Sequence, residues 1–109
     1  MASTRKPEDT LSPREFEAVT MLAIDGARTA DIARELSVAC DTAKRYLSVA
    51  MEKTARETRT ALALWYVRRY PTAQAREDGY VAACIYLAER MHGRTRYRVR
   101  LASSPRRAT

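Results

Sequence analysis

The chain has 109 residues, of which 46% are hydrophobic, and its formal net charge at pH 7 is +7. This length supports one compact domain and excludes two full cores, and this apolar fraction excludes a wholly disordered chain. No apolar run is long enough to span a membrane, and the first residues lack the apolar core of a signal peptide, so we expect a cytoplasmic protein.

The positive charge is concentrated towards the C-terminal half of the chain. Residues 1–63 contain 10 basic and 10 acidic side chains, whereas residues 64–109 contain 10 basic and 3 acidic ones. A basic protein of this size favours nucleic acid as its partner, ahead of an anionic membrane or an acidic protein.

The first predicted elements are a polar arm over residues 1–10 and a helix that begins after Ser12. Ser12 and Glu15 have the spacing of a capping box, and Pro13 suits the first position of a helix. Gly26 suits the left-handed residue at the end of this helix. Thr29 is the expected cap of a short second helix, from Ala30 to about Leu36.

A tight turn at Ser37 and Val38 precedes a third helix, which we expect to begin near Cys40 or Asp41. Because neither Gly nor Pro occurs between Gly26 and Pro71, the pattern predicts one long helix over roughly 40–69. Two helices with a break within 54–60 are the alternative. Pro71 ends the helical pattern in either case.

We expect a further helix to begin at Asp78 and Gly79 and to end at Gly93. The strict alternation over residues 94–101 then predicts a strand with four arginines on one face, and these are Arg94, Arg96, Arg98 and Arg100. Such a strand can pair with a second copy of the chain, lie along nucleic-acid phosphates as a basic arm, or belong to a disordered tail. The aromatic side chains of the C-terminal helices predict either a small core between these helices or a dimer interface, and they are Trp65, Tyr66, Tyr70, Tyr80 and Tyr86.

The short helix, tight turn and longer helix have the outline of a helix-turn-helix motif. In this motif the second helix enters the major groove of DNA, and its first turns contact base edges. Five polar side chains are expected to point outward from this helix, and they are Thr42, Lys44, Arg45, Ser48 and Lys53. Thr42 and Arg45 suit hydrogen bonds to bases, whereas lysines suit phosphates.

The residues that carry the motif lie at 11–15, Gly26, 32–36, Val38 and 42–44. Together they resemble the DNA-binding domain of LuxR-type regulators and region four of bacterial sigma factors. The resemblance covers about residues 11–53, and it implies a helical bundle in which Thr42, Lys44, Arg45 and Ser48 contact DNA. The chain departs from these families in four ways: Ser37 replaces the turn glycine, Ala39 replaces the polar cap, Asp41 brings a negative charge, and Ala43 replaces a bulky residue.

We therefore predict an all-α fold, in which a helix-turn-helix bundle with a long third helix is followed by an additional C-terminal helix and a short basic strand or arm. Its parts are a flexible arm over 1–10, a DNA-binding domain over 11–53, supporting or oligomerisation helices over 54–93, and an Arg-rich strand and tail over 94–109. The expected partner is double-stranded DNA, bound by a homodimer.

The predicted function is that of a nucleoid-associated transcription regulator of bacterial or phage origin. The chain offers no phosphate loop, no metal-ligand cluster and no catalytic triad, so we expect neither an enzyme nor a cofactor or metal. The alternatives are an interaction protein that binds RNA polymerase or another transcription factor, and a viral DNA-packaging subunit of the small terminase type.

Overall fold

The computed structural model describes residues 10–94, and all regular secondary structure in this part of the chain is α-helical. The predicted all-α fold is therefore confirmed. Arg94, the first residue of the predicted strand, is instead the last residue of a helix, and the remainder of that strand lies outside the described residues. The helices are α1 (Pro13–Asp25), α2 (Thr29–Leu36), α3 (Cys40–Thr54), α4 (Arg59–Arg69) and α5 (Ala73–Arg94).

Both ends of α1 are as the sequence predicts. The Ser12 side chain accepts a hydrogen bond from the Glu15 backbone N–H at 3.2 Å, and the Ser12 N–H donates to the Glu15 carboxylate at 3.0 Å. Gly26 ends the helix in the left-handed conformation, with φ 64°. The capping box and the glycine thus fix the length of α1 from purely local chemistry.

The cap predicted for α2 is wrong by one residue. Thr29 is the first residue of the helix, and Arg28 occupies the cap position. The Asp31 carboxylate accepts a hydrogen bond from the Arg28 backbone N–H at 3.2 Å, so a side chain of the first turn reaches back to the cap residue in place of a cap by Thr29. This hydrogen bond is the main reason why the pKa of Asp31 is lowered, and a hydrogen bond from the Arg34 side chain is the next largest cause.

The prediction of a single long helix over 40–69 is wrong, and the alternative prediction of two helices is correct. The third helix is α3, which ends at Thr54 because Ala55 adopts the left-handed conformation with φ 58°. The Thr58 hydroxyl then accepts a hydrogen bond from the Ala61 N–H at 3.0 Å and so begins α4. A threonine cap, and not a glycine or proline, marks this break.

The last helix, α5, begins at Ala73, several residues before the predicted start at Asp78 and Gly79. The signal that we missed is Thr72, whose hydroxyl accepts a hydrogen bond from the Ala75 N–H at 3.0 Å. Gly79 lies inside α5, where the absence of a side chain leaves room for the ring of Tyr70. The helix also continues past Gly93, which we had expected to end it.

Helix α1 is central to the fold, since it contacts each of the other four helices. Its Phe16 packs edge-on against three tyrosines, at ring-centroid distances of 5.4 Å to Tyr66, 5.1 Å to Tyr70 and 6.0 Å to Tyr80. These tyrosines of α4, α5 and the connection between them thus pack on Phe16 of α1, whereas the sequence predicted a core between the two C-terminal helices themselves. None of the helices in the described part of the chain is long and apolar enough to cross a membrane.

Two hydroxyl groups tie α4 and α5 to α1 beside this aromatic core. The hydroxyls of Thr20 and Tyr66 lie 2.6 Å apart, and the Tyr80 hydroxyl donates a hydrogen bond to the Glu17 carboxylate at 2.9 Å. The hydrogen bond to Glu17 is the main reason why the pKa of Tyr80 rises to about 12. Burial raises the pKa of Tyr66. Both tyrosines therefore hold their protons through the neutral pH range.

Candidate nucleic-acid interface

The turn between α2 and α3 has the geometry of a helix-turn-helix motif. Ser37 adopts the left-handed conformation with φ 57°, and the Val38 N–H donates to the Ala33 carbonyl at 2.9 Å. Ser37 thus adopts the left-handed backbone conformation that glycine adopts more easily, at the position where related motifs have a glycine. Ala33 and Ala43 are both buried, and their small side chains allow α2 and α3 to approach closely.

The outward face of α3 is opposite to its buried face. Ala43, Leu47, Ala50 and Thr54 face the core. The exposed positions of the helix, which contain most of its polar side chains, are Cys40, Asp41, Lys44, Arg45, Ser48 and Glu52. The structure therefore exposes Lys44, Arg45 and Ser48 together, whereas Thr42 is half-buried at the edge of this face.

The charges on this outward face balance one another. Lys44 and Arg45 bring two positive charges, and Asp41 and Glu52 bring two negative ones. The sequence predicts the negative charge of Asp41 near this face, whereas Glu52 was not expected there. The signal for Glu52 is its spacing, because Asp41, Arg45, Ser48 and Glu52 follow one another at intervals of three or four residues along one side of a helix.

The sequence of residues 9–54 matches the family model described as sigma-70, region 4. Together with the α2–turn–α3 geometry, this match supports a helix-turn-helix of the sigma region four superfamily in this segment. We refer to residues 9–54, which are similar to sigma-70 region 4, as the sigma region four domain. This class of domain binds DNA in transcription and is not a class of enzyme. No curated protein and no solved structure matches the chain.

Within the sigma region four domain, the N-terminus of α3 carries no side-chain cap. Ala39 occupies the cap position with φ −71°, and its carbonyl accepts hydrogen bonds from the N–H groups of Thr42 and Ala43. The backbone N–H groups of Cys40 and Asp41 precede these two donors and have no partner within the helix. Exposed N–H groups at a helix N-terminus attract anions such as phosphates.

The structure differs from the sequence prediction at Lys53, which does not belong to the outward face of the sigma region four domain. Its Nζ donates a hydrogen bond to Glu15 Oε1 at 2.8 Å and another to the Thr10 carbonyl at 3.3 Å. The side chains of Lys53 and Glu15 are only 26% and 12% exposed. Lys53 therefore ties the end of α3 to the start of α1. The sequence could have indicated this pair only through knowledge of how α1 and α3 pack.

The remaining predicted contacts belong to the Arg-rich segment that follows the sigma region four domain and the two C-terminal helices. Arg94 is the last residue of α5. Arg96, Arg98 and Arg100 lie outside the described residues. Their contact with nucleic acid stays a prediction.

Proposed function

We propose that the protein is a sequence-specific DNA-binding transcription regulator, in which α3 enters the major groove. One observation carries the proposal: a sigma region four domain presents Lys44, Arg45 and Ser48 together on the exposed side of the helix that follows its turn. An α-helix fits the major groove, and side chains on its first turns reach the base edges.

The proposed contacts divide by chemistry. Arg45 carries a planar guanidinium, which suits a bidentate contact to guanine, and the hydroxyls of Thr42 and Ser48 suit single hydrogen bonds to bases. Lys44 and the uncapped N-terminus of α3 suit phosphates, which position the helix without reading the sequence. Lys53 is not among the proposed DNA contacts, because its ammonium group forms an ion pair with Glu15.

The Arg-rich segment is proposed to supply affinity that α3 lacks. Two positive and two negative side chains share the outward face of α3, so this face gives little net attraction to a polyanion. Arg94, Arg96, Arg98 and Arg100 would add phosphate contacts, each of which steepens the salt dependence of binding.

We also propose that the regulator binds as a homodimer through α5. Several large apolar side chains of this helix are exposed to solvent, among them Val81, Ile85 (53%) and Met91 (57%). Exposed apolar stripes of this kind favour burial against a second protein surface. Sedimentation equilibrium should give twice the mass of the chain, and Ile85→Glu should give the mass of one chain.

The experiment that tests DNA reading is selection of random oligonucleotides by the purified protein. We expect a defined motif, and we expect Arg45→Ala to lose discrimination at one base pair by about 1–3 kcal/mol. Lys44→Ala should weaken binding to all sequences alike and reduce the slope of log K against log salt by about 0.9. Arg68→Ala is the matched control, since Arg68 is an exposed arginine of α4 and lies outside both α3 and α5. If Arg45→Ala selects the same motif with the same affinity, α3 does not read DNA.

A second candidate function is binding to RNA polymerase or another transcription factor, and the balanced charge on α3 favours it. A protein surface complementary to α3 would use Asp41 and Glu52 as well as Lys44 and Arg45. The two candidates predict opposite results for Asp41→Asn combined with Glu52→Gln. DNA affinity should rise if α3 binds DNA, whereas affinity for a protein partner should fall. A packaging subunit would instead form rings, whose mass in light scattering far exceeds that of a dimer.

A further inference from the structure

A groove on the outer side of α4 lies outside the sigma region four domain and outside the contacts proposed above. It has a volume of about 390 Å³, and we refer to it as the α4 groove. It is formed by α4 together with one residue of the loop that follows α3. Its lining residues are Arg56, Ala61, Leu64, Trp65, Arg68 and Arg69.

The floor of the α4 groove is apolar. Leu64 and Trp65 lie three and four residues after Ala61, so both are neighbours of Ala61 on the surface of α4. A different face of the same helix holds Leu62 and Tyr66, which are fully buried in the core. Leu64 is 46% exposed. Helix α4 therefore has an apolar surface beside its buried face, in which Leu64 is exposed and Trp65 is half-buried against the core.

The rim of the α4 groove is positively charged. Three of its lining residues are arginines, and none is acidic. Among the described residues, no carboxylate forms an ion pair with Arg56 or Arg68. Arg69 lies over the ring of Tyr70, with its guanidinium carbon 5.2 Å from the ring centroid. An apolar floor with such a rim suits a ligand that is apolar on one side and negatively charged beside it.

We propose that the α4 groove binds an acidic amphipathic helix of a partner protein. Ala61 to Arg68 spans two helical turns, which is the length over which a docked helix presents three apolar side chains at intervals of three or four residues. Carboxylates that flank these side chains would meet the guanidinium groups of Arg56 and Arg68, and arginine pairs with carboxylate through two parallel hydrogen bonds.

Two other occupants fit the groove less well. A DNA backbone would satisfy the arginines but would leave the exposed side chain of Leu64 without an apolar partner. A second copy of the chain, related by a two-fold axis through the groove, would bring two sets of arginines together, and like charges oppose such a contact. The acidic helix satisfies both the floor and the rim.

The experiment uses the full chain and its single tryptophan, Trp65, as an internal reporter. The probe is a synthetic peptide of about four helical turns, composed of Glu, Leu and Ala with the leucines on one face. We expect the peptide to shift the Trp65 emission to shorter wavelength in a saturable manner. A scrambled peptide of the same composition should produce no saturable shift, because its leucines do not share a face.

Three variants decide whether binding occurs in the groove. Arg68→Glu and Leu64→Ser should each weaken peptide binding about tenfold or more, while Arg90→Glu, a charge reversal outside the groove, should not. Circular dichroism melts will show whether each variant is folded. The proposal is overturned if the amphipathic peptide produces no saturable shift, or if folded Arg68→Glu and Leu64→Ser bind it as well as the unmodified chain. It is also overturned if a short DNA duplex displaces the peptide from the unmodified chain and from Arg45→Ala alike, since the groove would then be a nucleic-acid surface.

Discussion

Gly79→Ala should destabilise the protein, although alanine is ordinarily the better residue inside a helix. Gly79 lies within α5, where replacement of glycine by alanine ordinarily gains about 1 kcal/mol. A Cβ atom at this position, however, would lie 2.5 Å from Cε1 and 2.9 Å from Cδ1 of Tyr70, and 3.0 Å from Cε2 of Phe16. Real Cβ atoms do not approach other carbon atoms this closely, so the ring of Tyr70 must move.

Beside a cavity of about 310 Å³ whose lining includes Phe16 and Gly79, the ring of Tyr70 is confined by three other aromatic rings. It is buried, and its centroid lies 5.1 Å from Phe16, 5.1 Å from Tyr66 and 6.0 Å from Trp65. Overpacking against these rings costs about 1–3 kcal/mol, and the gain in helix propensity offsets about 1 kcal/mol of this cost. We therefore expect a net loss of about 1 kcal/mol in the free energy of unfolding, and a Tm lower by about 4–8 °C.

Thermal and denaturant unfolding of four proteins will measure this effect: the unmodified chain, Gly79→Ala, Tyr70→Leu and the double variant. In the Tyr70→Leu background the ring is absent, so Gly79→Ala should be neutral or stabilising. The difference between the two backgrounds is the interaction energy of the cycle. If Gly79→Ala raises the Tm of the unmodified chain, or has the same effect in both backgrounds, then contact with Tyr70 does not explain the glycine.

Three further predictions concern the turn, an ion pair and a tyrosine. Ser37→Gly should stabilise the protein by about 1 kcal/mol, because glycine adopts the left-handed conformation without cost; a lower midpoint of urea unfolding would contradict this. Lys53→Met should lower the free energy of unfolding by about 1.5 kcal/mol, because the hydrogen bond and ion pair with Glu15 are lost. The same substitution should leave the salt dependence of DNA binding unchanged. A smaller slope of log K against log salt would instead show that Lys53 contacts a phosphate. The pKa of Tyr80 is raised to about 12 from 10.0 by its bond to Glu17. That bond should therefore stabilise the fold below pH 10 and be lost between pH 10 and 12, and Tyr80→Phe should show a smaller loss of Tm over this interval.

Local signals explain which parts of the fold could be predicted. Ser12, Glu15 and Gly26 determine α1 through contacts within a few residues, and the sequence therefore predicts both of its ends. The end of α3 could not be predicted in this way, because Ala55 adopts a left-handed conformation that its residue type disfavours. Gly79 was mistaken for a helix start because its role is to make room for a distant ring.

The candidate site shows the same division. The outward face of α3 could be derived from helical periodicity alone, and Lys44, Arg45 and Ser48 are exposed as predicted. The placement of Lys53 depends on contact with Glu15, which is 38 residues away in the chain. Similarly, the α4 groove combines α4 with Arg56 from the preceding loop, and periodicity within α4 cannot indicate that the loop closes one side.

The central position of α1 has a consequence for how the chain can be divided. The segment that matches sigma region four ends at residue 54, yet Leu62 and Tyr66 of α4 are fully buried in a core shared with Phe16 and Val19 of α1. A fragment that stops at residue 54 would expose these α1 side chains to water. The segment that matches the family model is thus smaller than the core to which it contributes. Recombination that transferred this segment by itself would transfer the proposed DNA-binding surface without the α4 side chains that cover Phe16 and Val19.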